Sequence, residues 1–208
     1  MKVTYLFFKN YGNGLGLDVR TREEWLMRLV DTLRPSFERI GHRIPDGVRV
    51  TCGWPSKAAL ARRRRTIGEC WSSAASADQT IEIFISPCLG DALQAAETLV
   101  HEMIHASGAM GHRGSFPAIA KAIGLRKPWR ATHATPELKG RLNALISGIG
   151  PYPHATLDAT MMPHKTDSTR MQKVICADCG YVVRTTAKWI AVGLPICPCG
   201  TQMQVANC

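Results

Sequence analysis

His101-Glu102-Met103-Ile104-His105 sets two histidines four residues apart. On a helix this spacing puts both imidazoles on one face, one turn apart, where they can reach a single metal ion. Glu102 stands about 100° around that helix from His101. From there its carboxylate can serve as a general base without being a ligand. The flanking sequence predicts the helix. Asp91 is the N-cap, with Gln94 three residues later. Leu93, Ala96, Leu99, Val100 and Ile104 recur at helical spacing, and Gly108 is the stop. Glu97, four residues before His101, falls on the same stripe and reads as a solvated or outer-sphere group rather than a ligand.

A catalytic zinc takes three protein ligands and leaves its fourth position to water. The candidate for the third is His112, in Gly108-Ala109-Met110-Gly111-His112-Arg113-Gly114-Ser115-Phe116. The helix stops at Gly108, so a glycine-bearing turn can swing His112 back onto the metal. His101-Glu102-Met103-Ile104-His105-Ala106, followed by Gly111-His112 and then Phe116, resembles the SprT-like metallopeptidase family. That family places its third zinc-binding histidine in a Gly-His-Gly-x-x-Phe segment. Here the second glycine is displaced by one, giving Gly-His-Arg-Gly-Ser-Phe. The metzincin pattern would put its third histidine at position 111, which is Gly111. The resemblance runs over about residues 20–125 by element order and is specific at the motifs. It implies an α+β fold: a zincin-like catalytic domain of helices plus a small, mainly antiparallel sheet. It also implies zinc-dependent hydrolysis of peptide bonds, and protein substrates bound or crosslinked to DNA.

Of eight cysteines, four form two close pairs near the C-terminus, Cys176-Ala177-Asp178-Cys179 and Cys197-Pro198-Cys199. A β-type segment, Tyr181 to Thr186, lies between them. Such spacing suits a tetrahedral Cys₄ zinc ribbon. A unit of about 30 residues buries too little apolar area to fold alone, so a metal is its natural staple. SprT-like proteins often end in such a ribbon. Two zinc ions are therefore expected, one catalytic and one structural. Cys52, Cys70, Cys88 and Cys208 are scattered and read as free thiols.

The 208 residues suit one ordinary domain plus a small appendage. The expected organisation is a catalytic domain at 1–147, a linker at 148–170 rich in proline and small polar residues, and the ribbon at 171–208. Besides the motif helix, helices are expected from Thr21 to Ile40, from Ser115 to Ile123 and from about Pro136 to Ile146. Strands are expected at Val48 to Trp54, Ile67 to Trp71 and Thr80 to Ser86. No stretch approaches the roughly 20 apolar residues that span a bilayer, and the opening residues lack a signal-peptide pattern, so a cytoplasmic protein without a membrane partner is expected.

Lys and Arg number 26 against 16 Asp and Glu, a formal charge of +10. That surplus favours polyanions. Arg62-Arg63-Arg64-Arg65, Arg126-Lys127-Pro128-Trp129-Arg130, and Arg184 and Lys188 beside Trp189 place cations near aromatics. Single-stranded or distorted DNA is the expected polyanion. The alternative from another class is a non-catalytic, zinc-containing DNA-binding protein. Its histidine site would be closed by a fourth side chain, and none is obvious in the sequence.

Overall fold

A computed structural model of the protein describes residues 19–61, 63–161 and 171–206. The architecture is mixed α+β, and the chain divides into two compact units, Met1–Thr160 and Met161–Cys208.

The first unit opens with α1, Arg22–Arg39, whose start follows from its sequence. The Thr21 side chain accepts from the Glu24 N–H while Glu24 reaches back to the backbone N–H of Thr21, a reciprocal capping box. Trp25, Leu26, Leu29, Val30, Leu33 and Phe37 form its fully buried stripe. Three strands follow: β1 (Val48–Cys52), β2 (Gly68–Trp71) and β3 (Ile81–Ile85). The sheet order is β1-β3-β2, with β1 parallel and β2 antiparallel to β3. This sheet is thus mixed rather than mainly antiparallel, because β2 lies at the edge and leaves β1 and β3 side by side. The smaller pairings, here and in the second unit, are antiparallel.

Helix α2, Ala92–Ala106, packs across β2 and β3, and α1 packs on β1. The Asp91 carboxylate caps α2 by accepting from the Gln94 N–H at 2.7 Å. Behind these lie α3 (Phe116–Ile123), a two-residue hairpin of β4 (Leu125–Arg126) and β5 (His133–Ala134), and α4 (Pro136–Ile149), which packs on both α1 and α2. Gly124 ends α3 in the left-handed region, at φ 106°, where a side chain would be strained.

Residues 150–157, which composition assigns to the linker, are held within this unit. Arg22, 3% exposed, donates to the carbonyls of Pro87, Pro153 and His154, with its guanidinium 4.6 Å over the Tyr152 ring. Trp25 Nε1 donates to the Gly150 carbonyl, and the Leu157 N–H donates to that of Pro87. Residues 162–170 lie outside the described residues.

The second unit has β6 (Met171–Ile175), β7 (Val182–Thr186), α5 (Ala187–Val192) and β8 (Gln204–Val205), with sheet order β7-β6-β8. Among the described residues its buried core comprises Val174, Cys176, Cys197 and Met203, with Val183, Ile190 and Leu194 packed against it. That is too little apolar surface to hold such a unit together unaided. Among the described residues no helix is long and apolar enough to cross a membrane.

Candidate metal centres

The two intervening residues of the motif explain its setting. Met103 and Ile104 are fully buried in the core, which pins the inner face of α2. His101 and His105, each 8% exposed, then project together on the adjoining face. Past the helix, Gly108 and Gly111 adopt φ of 102° and 84°, conformations that favour glycine, and the chain turns back. That turn returns His112: its Nε2 lies 3.0 Å from Nε2 of His101. One ligand atom from each of His101, His105 and His112 falls within 4.8 Å of the others. Nitrogens about 2.0–2.1 Å from a tetrahedral zinc stand a little over 3 Å apart, so the donor set fits the ion.

The ring orientations fit as well. Nδ1 of His105 donates to the Ala109 carbonyl at 2.8 Å, leaving Nε2 as the bare nitrogen. Nδ1 of His101 lies 2.9 Å from the Thr132 hydroxyl, which can accept its N–H and so leave Nε2 bare as well. Phe116 is fully buried, and its ring centroid lies 4.9, 4.8 and 5.0 Å from those of His101, His105 and His112. Burial, reinforced by the charges of His105 and His112, drives His101 down to about 3. Burial also lowers His105 and His112, with the charges of His105 and Arg130 adding to the effect at His112. All three imidazoles are therefore neutral near pH 7, the form that binds metal.

Glu102 is 5% exposed and lies outside the ligand set. Burial, and secondarily the charge of Glu69, pushes its carboxyl up to about 8. Glu69, on β2, is itself held by the N–H and hydroxyl of Ser56 at 2.7 and 2.6 Å. Among the described residues no fourth His, Cys, Asp or Glu joins the three histidines. Glu97 instead pairs with Lys139 of α4 at 3.6 Å.

The second group comprises Cys176, Cys179, Cys197 and Cys199, whose sulfurs lie within 4.8 Å of one another. Sγ of Cys176 is 3.5 Å from that of Cys199, and Sγ of Cys179 is 3.4 Å from that of Cys197. Four thiolates about 2.3 Å from one zinc stand a little under 4 Å apart, so this set also fits. The backbone N–H and hydroxyl of Thr201 favour the Cys199 thiolate and lower its pKa. Cys52, Cys70 and Cys88 are half-buried free thiols, and Cys208 lies outside the described residues.

Sequence reasoning missed Thr132, the Ala109 carbonyl, Glu69 and Gly68 as parts of the histidine site. Among the cationic stretches, Arg63 and Arg64 are exposed, as are Arg126, Lys127, Arg130, Arg184 and Lys188, while Arg62 lies outside the described residues. Trp129 is half-buried against the core. Trp189 is 58% exposed, with Nζ of Lys188 5.1 Å from its ring. No family model matches the chain, and no curated protein or solved structure matches it.

Proposed function

We propose that the chain is a zinc-dependent metallopeptidase of the zincin type, similar to the SprT-like family, acting on proteins associated with DNA. The observation that carries this reading is the open triad. Three neutral histidines converge on one point with a buried carboxylate on the next helical position and no fourth protein ligand among the described residues. A closed structural site would need that fourth group. This favours the peptidase over a purely structural, DNA-binding zinc protein.

Zinc, when bound there, supplies Lewis acidity, polarising a peptide carbonyl and lowering the pKa of water to about 7. His101, His105 and His112 would hold the ion, with Thr132 and the Ala109 carbonyl beside two of those rings to orient them. As a carboxylate, Glu102 would accept a proton from the attacking water at a carboxylate oxygen and return it to the amine nitrogen as the peptide C–N bond breaks. The Cys₄ group staples the C-terminal unit, and Arg184, Lys188 and the exposed Trp189 of that unit suit phosphates and an unpaired base.

The test is hydrolysis of an unstructured protein by purified, zinc-loaded chain, with and without single-stranded DNA and with and without chelator. Cleavage that chelator abolishes and zinc restores is expected, with DNA raising the rate. Zinc-loaded protein that cleaves nothing under either DNA condition overturns the enzymatic reading.

A further inference from the structure

Gly68 opens strand β2, the edge strand packed against α2. Its backbone does not call for glycine, since it is absent from the glycines with positive φ. Strands disfavour glycine, which offers nothing to pack and costs entropy on folding. Space supplies the missing reason. A Cβ built on Gly68 would lie 2.5 Å from Oε1 of Glu102, 3.0 Å from its Cγ and 2.6 Å from Cγ2 of Thr98. Carbon atoms do not approach other heavy atoms this closely, so the Glu102 side chain occupies the room that any other residue at 68 would fill. Among the described residues the Glu102 carboxylate has no hydrogen-bond donor to orient it. Its place is set by shape: the Glu102 side chain and the Thr98 methyl, one turn earlier on α2, both lie against the bare backbone of β2 at Gly68.

We propose that Gly68 is a positioning residue: its missing side chain is the seat that holds the Glu102 carboxylate at the working angle beside the histidine site. The inference rests on the peptidase reading for its consequence, though not for its geometry. A methyl group at 68 expels the carboxylate from its seat while leaving His101, His105 and His112 untouched. A misplacement of about 1 Å in a catalytic group costs on the order of 100-fold in rate.

Thr98→Ala serves as the reference background, because it removes the other atom that a Cβ at 68 would meet. In that background Gly68→Ala is expected to keep full zinc content and a KM within about twofold, while kcat falls at least tenfold. A second arm does not use activity. Thermal unfolding of the zinc-loaded full chain is followed for Gly68→Ala with Glu102 present and with Glu102→Ala. The substitution should lower the melting temperature by several degrees when Glu102 is present and by much less when its side chain is cut back. Equal losses in the two backgrounds, or an unchanged kcat, overturn the proposal. Zinc-loaded wild-type protein without peptidase activity counts against the proposed function instead, and the unfolding cycle still decides whether Gly68 seats the carboxylate.

Discussion

At the scale of single residues the histidine site balances opposing titrations, and these make predictions in the metal-free protein. Glu102 titrates near 8 when folded against a reference value of 4.5, so the folded state holds a proton that the unfolded chain has lost. Stability from this group therefore falls as pH rises from about 4.5 to about 8. His101 behaves in the opposite way. Its folded value near 3 against 6.5 means that stability is lost as pH falls through that window. Chelator-treated Glu102→Gln should thus be more stable than chelator-treated wild type at pH 8, by on the order of 1–3 kcal/mol, and the gap should close by pH 4. Denaturant unfolding at the two pH values checks this, and a gap independent of pH contradicts it. His112→Ala should release the ion of the histidine site, whereas His133→Ala and His154→Ala should not. His133 is exposed and His154 binds the Arg20 carbonyl. His164 lies outside the described residues. Thr132→Val should weaken zinc at this site by about 10–100-fold, because the His101 ring loses its orienting hydroxyl, while Thr132→Ser should keep it. Competition with a chromophoric chelator measures both.

At the scale of elements, the parts legible in the sequence are those whose signals are local. Helix α2 follows from Asp91, Gln94 and the apolar period, and the turn to His112 follows from Gly108 and Gly111. The cysteine group follows from two close pairs. What sequence reasoning missed is long-range or very short. Thr132 meets His101 across 31 residues, on a hairpin whose strands have two residues each. Gly68 and Glu69 reach Glu102 only because β2 takes the sheet edge beside α2. Helix α5 has six residues, too few for a period to show. The anchoring of residues 150–157 depends on the buried Arg22, which composition alone reads as one more surface cation. The second unit yields a sharp expectation of its own. With four buried core residues among those described, it should depend on metal to fold. Cys176→Ser with Cys179→Ser should remove one zinc per chain and expose residues 171–206 to protease, leaving the first unit's unfolding transition in place. Retained protection of that segment would contradict the staple role.

At the scale of the whole molecule, the charge of +10 and the exposed cations predict that binding to single-stranded DNA weakens steeply with salt. The log–log slope should be about −0.7 per phosphate contacted. Replacing Arg62, Arg63, Arg64 and Arg65 with glutamine should flatten it by more than one unit if that run lies on the nucleic acid; identical slopes would remove it from the interface. The proposed peptidase activity rests on a division of labour between three histidines that would hold zinc and one carboxylate that would move protons. The direct measurement is the rate of hydrolysis of an unstructured protein by wild type and by Glu102→Gln, each assayed for zinc in the same sample. Two zinc ions per chain in both proteins, with cleavage in wild type and at least a 100-fold lower rate in the variant, is the predicted result. Equal rates, or a variant that has lost the zinc of its histidine site, would contradict it.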